Sequence, residues 1–393
     1  MKNVLFSALC GMLLTGCGST TSDRRTETGL PVIDGQTTVE AKVSEFFPSV
    51  RIAPLQTTKQ SITGVLIKNI KRIGDRIFFV NKTFGGNNLL CFDTTGRFVR
   101  LIDRRGHGPQ EYTYLGDVIL TPDSNALILT TEKGKYLVLD TADNYLSTIQ
   151  QEPPYYYAQQ FLRINDSTCL VFHNGNFPSG SDLLEVDART FAIRRSVQAR
   201  DIMDLEGSQP LSLWADRILY CGRSDTIYDA TDIQNRRPLY WVDFGDAHRT
   251  LLDKQRKFRL EGDRERMLEV GSDPDHHLVY RLFENARWIA ISEIGQKKKN
   301  VISPTFFCIL YDKQTGRSYH SEYISWDILN IGPLEQVEIA GCDTDGTLYA
   351  LWHGTLSEEQ KQRLKASDRL SPALKTQLLT REDEDNPVLF MLR

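Results

Sequence analysis

Long hydrophobic runs are scarce in this sequence of 393 residues. The first, at 4–14, has 11 residues, whereas a helix that spans a membrane needs about 20. No charge sign dominates either, because 47 basic and 51 acidic residues leave a formal net charge of −4, too little to recruit nucleic acid. With 40% hydrophobic and 25% charged residues, the chain is neither disordered nor collagen-like. We therefore expect a folded protein with an ordinary core and no polytopic membrane domain.

Linear catalytic and metal-binding motifs are missing as well. The sequence has no G-x-S-x-G, H-E-x-x-H, Walker A or C-x-x-C pattern. The segment DTDG (343–346) starts like a calcium loop but lacks its final Glu, so we predict a hairpin turn. The neighbouring histidines of SDPDHH (272–277) point to opposite sides of an extended chain. We therefore predict neither a metal site nor a cofactor.

Cysteine usage argues against a disulfide framework. Beyond the N-terminal segment the count is odd and the spacing wide, and most of these cysteines lie in apolar runs. We interpret them as small buried hydrophobic residues. They are Cys91, Cys169, Cys221, Cys308 and Cys342.

The N-terminal segment has the pattern of a secretory signal. Lys2 precedes the short apolar stretch, which ends in LTGC (14–17) and resembles a bacterial lipobox. That resemblance implies a signal peptide over 1–16 and a lipid anchor on Cys17. Residues 17–45, rich in Ser, Thr, Asp, Glu and Arg, are predicted to form a flexible tether. Because no acidic run follows Cys17, we predict an outer-membrane lipoprotein that faces the periplasm rather than the cell surface.

Beyond residue 46 the chain repeats. The segment LLCFDTTGRFVRLI (89–102) recurs as YLVLDTADNYLSTI (136–149), as LLEVDARTFAIRRS (183–196) and later as CILYDKQTGRSYH (308–320). Each copy reads as a strand, an Asp-led turn and a second strand, and the first three Asp residues are 47 residues apart. Another pair of strand-like runs precedes each copy. Four strands in about 45 residues are typical of a β-propeller blade. The Asp residues of the series are Asp93, Asp140, Asp187, Asp229 and Asp312.

The repeat count predicts an all-β fold, a six-bladed β-propeller of four-stranded blades over 46–393. Five copies are complete, and a sixth begins at 337 and resumes at NPVLFMLR (386–393) without its outermost strand. The spare run SVRIAPL (49–55) is predicted to supply that strand, so that an N-terminal strand joins the C-terminal blade and no edge stays open. Short helical insertions are expected near 246–270 and 357–380.

Four pieces of sequence carry a family resemblance. They are IAPLQTT (52–58), GHGPQEY (106–112), SDTIYDA (224–230) with PLYWVDFG (238–245), and DNPVLFMLR (385–393). In this order they resemble the six-bladed β-propeller lipoproteins of Gram-negative envelopes, which are NHL-like. The resemblance covers most of 46–393. It implies the fold and an envelope location, and it brings no assigned activity and no catalytic residues.

One face of the predicted propeller, here called the loop-rich face, carries the longer loops. In propellers the connections between blades share a face with the turns between second and third strands, which places 81–88, 103–114, 151–159, 173–180 and both insertions together. Aromatic, amide and basic side chains on loops of a rigid scaffold are typical of binding surfaces. The predicted ligand-binding residues are Arg104, Arg105, His107, Glu111, Tyr112, Tyr155, Tyr156, Tyr157, His173 and Asn174. Alternatively, GHGPQEY only shapes the crossing between two blades, and the tyrosines pack on neighbouring blades.

These observations favour a non-catalytic binding module for a glycan, a peptide or a protein partner, held at the envelope by its lipid. One alternative is a propeller-type enzyme, such as a polysaccharide lyase, glycosidase or lactonase, with a site assembled from several blades at the channel mouth. A third is a structural component of an outer-membrane complex that makes contact through 357–380. The leucines of that insertion form a loose stripe that either faces a partner or packs on blade 6: Leu356, Leu364, Leu370, Leu374 and Leu378.

Overall fold

The computed structural model describes residues 26, 29–64, 66–121, 125–151, 158–173, 183–197, 208–222, 225–295 and 305–393. Within them the strands form six radial sheets, so the predicted six-bladed propeller of antiparallel four-stranded blades is confirmed. Four short elements precede the first blade. They are β1 (Val32–Asp34), β2 (Ala41–Lys42), α1 (Val43–Phe46) and β3 (Val50–Pro54).

Blades 1 to 3 each consist of four consecutive strands, which follow the order of the chain from the axis outward. Blade 1 consists of β4 (Leu66–Ile73), β5 (Arg76–Thr83), β6 (Gly86–Asp93) and β7 (Phe98–Ile102). Blade 2 consists of β8 (Leu115–Leu120), β9 (Ala126–Thr131), β10 (Lys135–Asp140) and β11 (Tyr145–Gln150). Blade 3 consists of β12 (Ala158–Arg163), β13 (Thr168–His173), β14 (Leu183–Asp187) and β15 (Ile193–Val197).

Blades 4 to 6 include the helical insertions at the predicted places. Blade 4 consists of β16 (Leu211–Trp214), β17 (Arg217–Tyr220), β18 (Thr226–Asp229) and β19 (Arg237–Asp243), and α2 (Gly245–Leu260) and α3 (Arg264–Gly271) follow it. Blade 5 consists of β20 (Leu278–Glu284), β21 (Trp288–Gly295), β22 (Thr305–Asp312) and β23 (Arg317–His320). The connection to blade 6 contains β24 (Ile324–Ser325). Blade 6 consists of β25 (Val337–Cys342), β26 (Leu348–Trp352), the last strand β27 (Val388–Leu392), and β3, and it carries α4 (Glu358–Ala366) and α5 (Pro372–Leu379) between β26 and β27.

The Asp-led turns explain why the repeat is visible in the sequence. Each of the five Asp residues ends the third strand of its blade, and its carboxylate accepts a hydrogen bond from the backbone N–H two residues later. These bonds have lengths of 2.8–3.0 Å and fix the turn into the outermost strand. The same local chemistry therefore recurs in blades 1 to 5.

The core is divided among the contacts between blades. Within the described residues, six apolar clusters each lie between two neighbouring blades, and the largest joins blades 5 and 6. The five cysteines among the described residues are free, four are buried and Cys342 is half-buried, as expected for small hydrophobic residues. Burial raises the pKa of the Cys91 and Cys169 thiols to about 11, so they are protonated at neutral pH.

Residues 29–45 contain regular secondary structure, whereas the prediction for 17–45 was a flexible tether. Strand β1 pairs in parallel with the outer strand β19 and gives blade 4 a fifth strand. Strand β2 pairs with β24, and Phe46 at the end of α1 packs on Trp288 and Tyr319 of blade 5. Strand β3 then pairs along its length with β27. The polar composition of 17–45 conceals these contacts because they use only a few apolar residues, such as the fully buried Ile33.

Candidate functional site

The inner strands of the propeller are bent at equivalent places around the axis. In β4, β8, β12, β20 and β25 the pairing with the next strand shifts by one residue. Such a bulge bends a strand and re-aims its side chains. Buried polar groups lie at or next to these bulges and in the segment before β16: Lys68, Asn69, Asp117, Gln159, Gln209, Arg281 and Glu338.

Asn69 closes the channel at this level. Its backbone has a φ of 57°, a left-handed conformation that Asn tolerates better than most residues. The side-chain amide donates to the carbonyl oxygens of Gly116 at 3.2 Å and of Gln159 at 3.3 Å, while its oxygen accepts a hydrogen bond from Gln209 Nε2. The buried side-chain amide of Asn69 therefore connects blades 1, 2 and 3 with the segment that leads into blade 4.

Arg281 completes the closure from blade 5. It is fully buried, stacks 4.9 Å above the ring of Tyr280, and donates from Nη2 to the carbonyl oxygen of Ile67 in blade 1. Its Nη1 lies 3.3 Å from Oε2 of Glu338 on the first strand of blade 6. A buried cation on the axis is thus compensated by one carboxylate, as burial in a protein interior requires.

Glu338 of this charge pair also contacts a partly exposed histidine. Oε1 of Glu338 lies 2.9 Å from Nε2 of His353, whose side chain is 29% exposed and stacks on Phe306. Burial raises the pKa of the Glu338 carboxyl, but the positive charge of Arg281 and the hydrogen bond with His353 outweigh it and hold that pKa below its ordinary value. Glu338 is therefore ionised at neutral pH, and the Nε2–H group of His353 donates a hydrogen bond to its carboxylate.

His353 lines a groove on the loop-rich face, here called the blade 6 groove. The groove has a volume of about 640 Å³ and runs between the connection at 332–336 and the start of the insertion at 353–363. Helix α4 is held at its edge by Gln360, which donates to the carbonyl oxygen of Pro333 at 3.1 Å and forms a capping box with Ser357. The walls are polar and carry charges of both signs, including Glu335, Glu359, Arg363 and Asp383.

The GHGPQEY loop is bonded mainly to itself. Gly106 N donates to the carbonyl oxygen of Tyr112, Tyr112 N donates to that of Arg104, and Gly108 N donates to the Glu111 carboxylate at 2.8 Å. A Cβ on Gly106 would lie 2.0 Å from Oε2 of Glu111, so a larger residue there would require the Glu111 side chain to move. These bonds agree with the alternative that the loop shapes the crossing between blades.

The predicted ligand-binding residues have varied environments. Arg104 pairs with Asp143 in an outer turn of blade 2, and Arg105 pairs with Asp103 and donates to the Gly85 carbonyl. Tyr112 and His173 are buried, whereas His107 is exposed. Ligand binding by them stays a prediction. Cys17, Tyr155, Tyr156, Tyr157 and Asn174 lie outside the described residues.

Sequence reasoning missed the buried polar network on the axis and the histidine that it contacts. Asn69, Gln209, Arg281, Glu338 and His353 come from distant parts of the chain and share no linear motif. The available signal was a polar residue inside an apolar strand, as in VLIKNIKRI (65–73), LVYRLFE (278–284) and VEIAGC (337–342). A charged group in such a run must find a buried partner, but the sequence does not say which.

The histidines of SDPDHH contribute to packing between blades 4 and 5. His277 N donates to Nδ1 of His248 on α2 at 3.1 Å, and His248 Nε2 lies 3.0 Å from Asp225. His277 also lies 3.6 Å from the buried Glu293. Burial lowers the pKa of His277, but the hydrogen bond and the charge of Glu293 outweigh this effect, so the pKa of His277 is raised above its ordinary value. Among the described residues no group of three His, Cys, Asp or Glu side chains is arranged to hold a metal ion.

The leucines of the second insertion pack inward. Leu356, Leu364 and Leu378 are buried in the cluster between blades 5 and 6, and Leu370 and Leu374 pack partly buried against it. The stripe is therefore core, which removes the feature that favoured a structural contact through 357–380. No helix in the described ranges is both long and apolar enough to cross a membrane.

Comparison with known proteins supports the fold and supplies no activity. The "Putative exported protein" of Bacteroides fragilis NCTC 9343 superposes with a TM-score of 0.63 at 17% identity, covering 92% of this chain and 98% of that one. The structure of U3-55K gives a TM-score of 0.47 at 8% identity, over 88% of this chain and 99% of that one. No curated protein matches. Kinship with NHL-like lipoproteins stays a prediction. A family model, the domain of unknown function DUF4934, matches residues 30–393, and the chain belongs to that family.

Proposed function

We propose that this chain is an exported, envelope-anchored, non-catalytic binding protein that holds an extended polar peptide segment in the blade 6 groove. The observation that carries the proposal is the partly exposed His353 in the wall of that groove, fixed by the buried pair of Glu338 and Arg281. A side chain held rigidly by buried charges is pre-organised, so little entropy is lost when a ligand binds it.

The lining of the groove favours a peptide over a glycan. Sugar rings commonly stack on aromatic side chains, and none of the described residues that line the groove is aromatic except the imidazole of His353. Carboxylates, the Arg363 guanidinium, Gln336 and Gln360 offer donors and acceptors of both charge signs instead. This composition suits the backbone and charged side chains of an extended segment from an envelope protein.

The anchor is part of the same proposal. The lipobox-like LTGC (14–17) supports a lipid on Cys17, and the "Putative exported protein" of similar fold supports export; together they favour a periplasmic position at the outer membrane. Mass spectrometry of the N-terminal peptide would detect the acylated cysteine, and Cys17→Ser should release the chain from the membrane fraction. A membrane-bound Cys17→Ser chain would contradict the anchor.

The test of the groove is selection from a random decapeptide library on the full chain, followed by fluorescence anisotropy with the selected peptides. His353→Ala and Arg363→Ala should each weaken binding at least tenfold. Arg51→Ala removes an exposed arginine on β3, away from the groove, and serves as the matched control. Selection of no peptide, or affinity that survives both groove substitutions, would overturn the proposal.

One observation favours a second candidate function, that of an acid–base enzyme. A carboxylate 2.9 Å from an imidazole fixes the orientation and the tautomer of the ring, as in many hydrolases and lyases. For this candidate, uronate-containing polysaccharides, aryl glycosides and lactones should be turned over by the native chain and not by His353→Ala. Turnover that is equal in both chains, or absent from the native chain, would reject it.

A further inference from the structure

A second cavity lies at the other end of the channel, on the face opposite the blade 6 groove. It has a volume of about 330 Å³ and is bordered by the ends of the inner strands, where β8, β12 and β25 lead into their turns. Its walls are mostly apolar and include Ile70, Phe161 and Phe283. This volume falls at the lower end of the range of small-molecule sites, about 300–1,000 Å³.

Two cations face this apolar cavity. Lys71 makes no hydrogen bond and no close ion pair with any residue in the described part of the chain, and its charge acts at longer range on the carboxylates of Asp117 and Asp343. Among the described residues, Arg163 donates at 3.3 Å to the Leu120 carbonyl and at 3.3 Å to Asp166, which is largely in solvent. The lining carboxylate, Asp343, is already engaged, because Tyr349 donates to it and Arg72 lies 2.9 Å away. Neither Lys71 nor Arg163 is therefore held in a close ion pair with a buried carboxylate among the described residues.

A buried acceptor lines the same cavity. Gln209 is 3% exposed, and its amide nitrogen donates to the Asn69 oxygen, while Asn69 donates to two backbone carbonyls. The two carbonyls fix the orientation of Asn69, which in turn fixes that of Gln209. Oε1 of Gln209 consequently faces away from Asn69 and has no hydrogen-bond partner within the described ranges. An unsatisfied buried acceptor costs about 1–3 kcal/mol, which a ligand with a donor would recover.

We propose that this cavity is a binding site for a small carboxylic acid with an apolar body and one hydroxyl or amino donor. The carboxylate would pair with Lys71 and Arg163, the body would contact Phe161 and Phe283, and the donor would reach Gln209. The site is independent of the blade 6 groove, because the two lie on opposite faces and are separated by the closure at Asn69 and Arg281.

The experiment is isothermal titration of the full chain with three matched probes. They are 3-phenyllactate, 3-phenylpropanoate, which lacks the hydroxyl, and methyl 3-phenyllactate, which lacks the charge. We expect the hydroxy acid to bind, and each of the other two to bind at least fivefold more weakly. Failure of all three to bind at millimolar concentration would overturn the proposal, and so would equal affinity for the acid and its ester.

Variants locate the binding in the cavity. Lys71→Met and Arg163→Met should each lower the affinity for 3-phenyllactate at least tenfold, while changing the affinity for the methyl ester less than threefold. Lys59→Met removes an exposed lysine outside the cavity and is the matched control. The two substitutions lie on different strands, β4 and β12. If one variant misfolds, the other still tests the proposal. Equal weakening of acid and ester in a folded variant would contradict the charge pairing.

Discussion

The side-chain oxygen of Asn69 accepts a hydrogen bond from the amide of Gln209, which lies 140 residues later in the chain. The contact joins blade 1 to the segment that leads into blade 4, across the axis of the propeller. Gln209 also pairs through its backbone with β20 of blade 5. Because one buried amide thus connects distant parts of the ring, its removal should affect the whole fold rather than one blade.

Substitutions of Asn69 test this connection. Asn69→Gly keeps the left-handed backbone and removes three hydrogen bonds, so we expect a loss of about 2–4 kcal/mol in the free energy of unfolding. Asn69→Ala should cost about 1 kcal/mol more, because a Cβ without a compensating side-chain bond is strained at positive φ. Urea denaturation of both variants measures the two effects. A loss below 0.5 kcal/mol for Asn69→Gly would contradict a role in closure.

Arg281 and Glu338 form the second closure and should behave as a coupled pair. Removing one partner of a buried ion pair typically costs about 3–5 kcal/mol, since the other charge stays behind. We therefore expect Arg281→Met and Glu338→Gln each to be strongly destabilising, and the double variant to lose clearly less than the sum. Additive losses in denaturation experiments would show that the two groups do not interact.

The same pair predicts a pH dependence. The pKa of Glu338 is held below its ordinary value of 4.5, so the folded state binds this proton less tightly than the unfolded state. The stabilisation from Glu338 is thus fully present above that ordinary pKa and is lost as the pH falls through the folded-state pKa. Between pH 6 and pH 3.5 the native chain should lose more unfolding free energy than Glu338→Gln. Parallel pH profiles for the two chains would contradict this assignment.

The fold was predictable from sequence where it rests on local chemistry. The turns at Asp93, Asp140 and Asp187 recur because each carboxylate binds a backbone N–H two residues away, and such short-range contacts leave a regular spacing. The site on the axis was not predictable in this way. Arg281 donates to a carbonyl oxygen 214 residues earlier, and nothing near Arg281 in the sequence identifies that partner.

Strand β1 shows a similar limit at the edge of the fold. Its three residues pair with β19, about two hundred positions later, and they lie within a polar stretch whose composition is typical of a tether. Composition reports the average of a window, whereas β1 depends on a single buried Ile33 and its backbone bonds. Short strands added by a chain terminus are therefore poorly visible to sequence patterns.

The loop at 106–112 offers a test of side-chain crowding. Gly106→Ala would place a Cβ 2.0 Å from Oε2 of Glu111. The Glu111 side chain must then move and lose the hydrogen bond that it accepts from Gly108 N. We expect a loss of about 1–2 kcal/mol in unfolding free energy. In a Glu111→Ala background the same substitution should cost almost nothing, because the obstacle is gone. Equal costs in the two backgrounds would show that the crowding lies elsewhere.

Two glycines with positive φ differ in their surroundings, and one of them lies where β3 meets blade 1. Gly96 has a φ of +88°, and a Cβ there would lie 2.2 Å from the Pro54 carbonyl oxygen of β3, a backbone atom that cannot rotate away. Gly74 has a φ of +59° and no atom within 4 Å of the same position. Gly74→Ala should therefore cost only the strain of positive φ, about 1 kcal/mol. Gly96→Ala carries the same strain and must also displace β3 from blade 1.

We expect Gly96→Ala to lower the unfolding free energy by at least about 2 kcal/mol more than Gly74→Ala in urea denaturation. Hydrogen exchange should locate the damage. The amides of β3 and β27 that pair with each other within blade 6 should exchange faster in Gly96→Ala, while those of blade 3 keep their native protection. Equal stability of the two alanine variants, or unchanged exchange in β3, would show that the contact between Gly96 and Pro54 does not hold the ring closed.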